Sequence, residues 1–324
     1  MTAPSRSRHL LAPELAPGLE FFPKLDFSIG LDVFRNGFAR RPIPPLPPEL
    51  EIVRREDRPI PGPHGAPDVP LLIYTPPGQA AGLRPAVLDI HGGGYIIGSA
   101  DMSDASNRQL ALDLDCVVVS VEYRLAPETA WPGARDDCYA ALCWLHAAAA
   151  ELGIDPARIA VSGVSAGAGH AAALAIHARN LGGPSICFQL LDSPMLDDRT
   201  GSSADPHPFT GEFSWSAEHN RLGWQSLLGT QPGGDDVPDA AVPARVSDLS
   251  GLPPAFILIG GIDLFLDESL EYARRLSRAG VPVELHLIPG AYHGFGLAAG
   301  APQTLLAKKL SREAMARALG VTRD

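Results

Sequence analysis

Basic residues are in short supply. The 324 residues hold 26 lysines and arginines against 37 aspartates and glutamates, a net charge of −11. A surface of that sign repels phosphate backbones and anionic headgroups, and no basic cluster offsets it. Nucleic acid and acidic membrane surfaces are therefore excluded as partners. Long apolar runs are missing too, so no membrane span is expected. The stretch from Met1 to Pro17 carries arginines but no apolar core followed by a small-residue cleavage site, so no secretory leader is read either. Cysteine is limited to Cys116, Cys138, Cys143 and Cys187, with no C-x-x-C pair. Buried thiols in a reducing cytoplasm fit this better than disulfides or metal ligands. No metal or cofactor is expected. Internal repeats are also lacking, which excludes solenoids and propellers.

What is present is a chain that is 45% apolar, enough for a sizeable core. Residues 1–48 stand apart. They hold nine prolines, clustered at Pro42, Pro44, Pro45, Pro47 and Pro48, and five phenylalanines, Phe21, Phe22, Phe27, Phe34 and Phe38. Short helices around 14–22 and 29–39 followed by a proline-rich linker are expected. This segment reads as a lid with an apolar underside or as an arm packed on the core.

From residue 49 to 324 the pattern is regular. Strand-length runs occur at Leu50–Arg54, Leu71–Tyr74, Ala86–Ile90, Val117–Val121, Ile159–Ser162, Ile186–Leu191, Ala255–Ile259 and Val283–Ile288. The first two could pair as a hairpin. From the third onward, helix-like segments intervene at 102–114, 133–150, 166–180, 216–228 and 267–279. β-Branched runs alternating with helices indicate an α/β protein, an eight-stranded, mostly parallel sheet in three layers. The stretch 196–229 breaks the rhythm after the sixth strand and reads as a cap insertion.

The chemistry centres on Gly163-Val164-Ser165-Ala166-Gly167. An apolar run leads in and an alanine-rich helical run leads out, which is the strand–turn–helix setting of a nucleophile elbow. A serine hydroxyl needs a base held in one tautomer by a carboxylate. His293 follows the last strand in the glycine-flanked loop Pro289-Gly290-Ala291-Tyr292-His293-Gly294-Phe295, at the sheet edge where open α/β sheets bind ligands. His170 and His177, on the elbow helix, point away from Ser165 and read as packed or solvated. Past the seventh strand, Asp267 and Glu268 start a helix, and capping and its dipole account for Asp267. Asp263 has no such explanation and is the triad acid, with Asp267 as the fallback. Glycines 92, 93 and 94, after the third strand, could present backbone N–H groups to an oxyanion, completed by the N–H of Ala166. No G-K-[ST] follows, so the loop is a poor phosphate cradle.

With these residues in place the chain resembles the hormone-sensitive lipase family of α/β-hydrolases, in its microbial carboxylesterase branch. The matching motifs are His91-Gly92-Gly93-Gly94, Tyr123-Arg124-Leu125-Ala126-Pro127-Glu128, Gly163–Gly167, Asp263-Leu-Phe-Leu-Asp267-Glu268 and His293-Gly294-Phe295. The resemblance implies the α/β-hydrolase fold, with Ser165, Asp263 and His293 as nucleophile, acid and base. It implies oxyanion donors at Gly93, Gly94 and Ala166, with Gly92 in the same loop, and a cap built from the N-terminal arm and the insertion. It also implies a possible homodimer, although no interface can be read. One departure is Val164, where the family usually has Asp. The triad does not need that charge. Arg124, Glu128 and His91 read as structural residues.

The expected activity is hydrolysis of short- to medium-chain acyl or aryl esters, small-molecule substrates, through an acyl-enzyme. An amidase, aryl-formamidase or lactonase would use the same triad. A non-catalytic small-molecule receptor would be expected to have lost a triad member.

Overall fold

The computed structural model describes residues 5–22, 25–39, 45–202 and 206–321. An eight-stranded sheet runs in the order β1-β2-β4-β3-β5-β6-β7-β8. Its strands are β1 (Arg54–Ile60), β2 (Val69–Thr75), β3 (Arg84–Ile90), β4 (Val117–Val121), β5 (Ile154–Val164), β6 (Phe188–Asp192), β7 (Ala255–Gly260) and β8 (Val283–Ile288). β2 is antiparallel to both neighbours, and every other pairing is parallel.

The period of two along each strand sorts the core into two faces. Leu88, Ile90, Val119 and Val161 pack toward α4 (Gly133–Ala147), α6 (Ala166–Leu181) and α8 (Leu266–Arg278). Val87, Val118 and Ala160 pack toward α3 (Asp104–Leu114) and α9 (Pro302–Ala318). Both faces are covered, so the central strands are continuously apolar, as the sequence pattern requires.

Three elements differ from expectation. The hairpin of β1 and β2 forms, but Leu50–Arg54 is not its first strand. Pro48–Leu50 is a 3-10 turn, and Leu50 and Val53 are buried from it. The strand itself is Arg54–Ile60, rich in charge because it pairs on one side only, as an edge strand does. The apolar run marked burial, and the strand followed it. The segment 133–150 divides into α4 and a one-turn helix, α5 (Ala149–Leu152). Helix α9 went unread, since its buried residues are mostly small: Thr304, Ala307, Ala314, Met315 and Ala316. At the start of the chain are one turn, α1 (Gly18–Phe21), and a longer helix, α2 (Leu31–Ala39). Of the proline cluster, Pro42 and Pro44 lie outside the described residues.

A third apolar cluster sits over the carboxyl edge of the sheet. Phe34 of α2, Tyr95 and Ile96 after β3, Ala166, and Trp215 and Trp224 all belong to it. Trp224 lies on α7 (Ala217–Leu228), inside the stretch after β6. Polar ties fix this layer. Arg35 donates to the carbonyls of Ile96 (2.6 Å) and Ala126 (2.5 Å) and pairs with Glu128 (2.6 Å). Arg124 pairs with the buried Asp137 at 2.7 Å. Both motif charges therefore sit in structural ion pairs, each with its own partner. Arg245 holds the buried Asp198 at 2.7 Å, and His219 meets the carbonyl of Leu25 at 2.9 Å.

Trp224 is fully buried, with its ring 5.0 Å from that of Tyr95. Trp224→Ala should lower unfolding free energy by about 3–5 kcal/mol in urea titrations. A loss below about 1 kcal/mol would mean that the cluster is not packed as described.

Candidate active site

β5 ends at Val164 and α6 begins at Ala166, so Ser165 alone makes the turn between them. Its φ of 57° and ψ of −122° lie outside the regions open to ordinary L-residues. Two glycines make the turn possible. A Cβ on Gly163 would stand 2.4 Å from the Gly167 backbone, and one on Gly167 would stand 2.0 Å from the carbonyl oxygen of Ile90. The strained residue is pinned by its own backbone: its N–H donates to Asp192 O (2.8 Å), and its carbonyl accepts from Gly169 N (3.0 Å) and Met195 N (3.1 Å). Among the described residues six non-glycine residues have positive φ; Ser165 is one, and Tyr95, Ser193 and Ser214 lie around its turn. Strain held by surrounding contacts is typical of functional sites.

The loops after β7 and β8 meet the elbow. Asp263 is fully buried, and its Oδ1 accepts from the Phe265 N–H at 2.9 Å. Its Oδ2 lies 2.9 Å from His293 Nδ1, and His293 Nε2 lies 2.9 Å from Ser165 Oγ. With Asp263 a carboxylate, Nδ1 carries the hydrogen, and Nε2 is free to accept from the serine hydroxyl. The ring stands edge-on to Phe265 with centroids 4.9 Å apart, and the His293 carbonyl accepts from Ser214 Oγ at 2.5 Å. Asp267 is exposed in the first turn of α8, away from this chain of hydrogen bonds. Glu268 is buried and accepts from the N–H of Leu196 (2.6 Å) and from the Thr200 hydroxyl. Burial pushes its carboxyl well above the usual carboxylate range.

The glycine loop lies opposite. A Cβ on Gly92 would stand 2.8 Å from Val164 O, one on Gly93 1.9 Å from Ile97 O, and one on Gly94 2.1 Å from the Trp215 ring. Gly93 and Gly94 also have φ of 130° and 57°. Among the described residues no acceptor takes the N–H of Gly93 or Gly94. The N–H of Ala166 opens α6, where helix geometry leaves donors unused.

Beneath this loop lies a buried aromatic stack. His91 stacks on Tyr123 with centroids 4.2 Å apart and planes 13° apart. His170 stands edge-on to Tyr95 and Tyr123, at 4.7 and 4.9 Å. The Tyr123 hydroxyl donates to His91 O (2.8 Å) and that of Tyr95 to Met195 O (2.9 Å). Burial lowers His91 to about 4 and His170 to about 3. As expected, His170 is packed, and His177 stands edge-on to Tyr139 at 4.8 Å. Cys116 and Cys138 are buried, Cys143 and Cys187 partly so, and all four are free thiols.

Sequence reasoning missed three residues. Trp215 covers Gly94, and Ser214 holds His293 through its carbonyl; neither sits in a motif. Asp192 ends β6, and burial pushes its carboxyl up to about 6. The available signal was a polar residue closing an apolar strand.

Fold and site together define a hydrolase of the α/β type. The family described as alpha/beta hydrolase fold matches residues 87–297, and the chain belongs to it, within the hormone-sensitive-lipase-like carboxylesterases. It is 38% identical over 302 residues to carboxylesterase NlhH of Mycobacterium tuberculosis, spanning 91% of this chain and 92% of that protein. Esterase LipI of the same organism is 36% identical over 305 residues, 87% of each chain. A solved bacterial heroin esterase superposes with a TM-score of 0.86 at 40% identity, covering 96% of this chain and 98% of that one.

Neutral buried histidines make a stability test. Both are depressed below the unfolded value of about 6.5, so the unfolded chain binds more protons in acid. Their stabilising effect is complete above about pH 6.5 and is lost as pH falls toward 4. By pH 5 the loss is about 2 kcal/mol per histidine. His170→Phe should lose that much less stability between pH 7.5 and pH 5 in urea titrations. An equal loss in both proteins would contradict the depressed value.

Proposed function

We propose that the protein hydrolyses carboxylic esters of small molecules through an acyl-enzyme, with Ser165 as nucleophile, His293 as base and Asp263 as acid. The observation that carries this reading is the unbroken run Asp263–His293–Ser165, two contacts of 2.9 Å each ending on a strained serine. Ser165 Oγ attacks the ester carbonyl while His293 Nε2 takes its proton. Asp263 stabilises the imidazolium that results. The carbonyl oxygen becomes an oxyanion held by N–H groups of Gly93, Gly94 and Ala166, with Gly92 fixing the loop. His293 then returns the proton to the leaving alcohol. In the second half-reaction it activates water against the acyl-serine, and the free acid departs.

In this reading the described parts of residues 1–48 and of about 196–229 form the cap over a catalytic domain assigned to residues 49–324. Trp215 against Gly94 and Phe22 against Gly294 bring apolar surface to the glycine loop and to the residue after His293. That environment suits a short- to medium-chain acyl or an aryl group. The names of the similar esterases support an ester over an amide. Four free thiols suit the reducing cytoplasm. Among the described residues no helix is long and apolar enough to cross a membrane.

A fluorophosphonate probe should label the wild type and leave Ser165→Ala unlabelled; a folded wild type that resists labelling rules the reading out. Asp263→Asn should retain its fold and lose about 10⁴ in kcat on an aryl acetate. A loss below about tenfold would place the acid elsewhere. Across an acyl series, kcat/KM should peak at short to medium chains.

A further inference from the structure

β5 and β6 are paired in register, and their last residues, Val164 and Asp192, are direct neighbours. Val164 is 41% exposed at the site. On its other side Asp192 neighbours Leu258 of β7. Asp192 therefore ends its strand between two side chains without charge. Its backbone carbonyl holds the Ser165 N–H at 2.8 Å, and Ser193 Oγ, on a residue with φ of 48°, donates to its carboxylate at 3.1 Å. Among the described residues, the charged groups within electrostatic reach of that carboxylate are His293, which attracts it when protonated, and Asp263, which repels it. Among the described residues no arginine or lysine contributes to its charge balance. That carboxylate thus lies within electrostatic reach of the one group that becomes cationic during turnover.

Resting on the esterase reading above, we propose that Asp192 is a positioning residue of the reaction. Its carboxylate stabilises the protonated form of His293 through space, and Val164 is neutral so that the two strand ends carry one carboxylate between them. Two carboxylates side by side cannot both ionise without cost, so a charge at 164 and a charge at 192 are alternatives. Burial pushes the Asp192 carboxyl up to about 6, with Asp263 adding to the rise and the Ser193 hydroxyl and the imidazolium opposing it. The attraction is reciprocal: an ionised Asp192 favours the proton on His293.

Asp192→Asn isolates this charge. The backbone bond to Ser165 remains, and the amide oxygen still accepts from Ser193. Folded sites are counted by fluorophosphonate titration, and rates are expressed per labelled serine. Asp192→Asn should lower kcat about fivefold, leave KM within about twofold and move the acid limb of kcat/KM to lower pH by about half a unit, as expected for losing one nearby anion. The transposed variant Val164→Asp/Asp192→Asn should bring kcat and the limb back to within about twofold of wild type. A merely structural role would leave the limb in place and gain nothing from the transposition.

An unmoved limb with wild-type kcat in Asp192→Asn, or a transposed variant no better than the single one, overturns the proposal. If Asp192→Asn does not accumulate as labelled protein, Asp192→Ser decides: the limb should again move to lower pH by about half a unit, and an unmoved limb overturns the proposal. A folded wild type that is never labelled refutes the esterase reading and this proposal with it. A labelled wild type with an indifferent Asp192 refutes this proposal alone.

Discussion

The backbone of Ser165 is the constraint on which the rest depends. An L-residue at φ 57°, ψ −122° persists only where its surroundings leave no alternative. Here β5 delivers it, α6 leaves from it, and three backbone hydrogen bonds fix it to β6 and to Gly169 and Met195. Strand and helix can pass this closely because Gly163 and Gly167 have no side chain, and Gly167 sits where a Cβ would strike the backbone of β3. The strand order β3-β5-β6-β7-β8 then sets where help can come from. Loops from the carboxyl ends of β3, β7 and β8 converge on the turn, bringing glycine N–H groups, a carboxylate and an imidazole. The parallel sheet is thus the device that places four distant segments of sequence within hydrogen-bond reach.

Burial of polar groups completes the site. Asp263 is fully buried yet has a partner on each oxygen. The two histidines under the glycine loop are kept neutral by burial and act as flat packing pieces between tyrosines, giving the loop a rigid floor. Above, the N-terminal arm is held by Arg35, which binds the glycine-loop segment and the Ala126–Glu128 turn together. A low-dielectric surrounding of this kind strengthens hydrogen bonds to a developing charge.

The candidate site is legible in the sequence because each expected contributor is a local motif at a strand end. Ser165 lies between the glycines of a turn, Asp263 lies just past an apolar run, and His293 sits in a glycine-flanked loop. The fold was legible because continuous β-branched runs alternate with helices. Asp192 was not legible, since its meaning depends on register: only the pairing of β5 with β6 shows that it stands beside Val164. The edge strand β1 escaped for the opposite reason, its charges being tolerated where pairing is one-sided. Helix α9 escaped because small residues give a faint periodic signal. Partners of Arg35 and Trp215 are long-range and carry no local mark.

The central claim is that the hydroxyl of Ser165 becomes acylated during turnover. The direct measurement is mass spectrometry of acid-quenched, digested enzyme taken during hydrolysis of a slowly deacylating aryl ester. The expected result is a single acyl group on the peptide containing Ser165, present during turnover and gone when substrate is exhausted. Continued turnover with that peptide unmodified, or an acyl group carried on another residue, would contradict the mechanism.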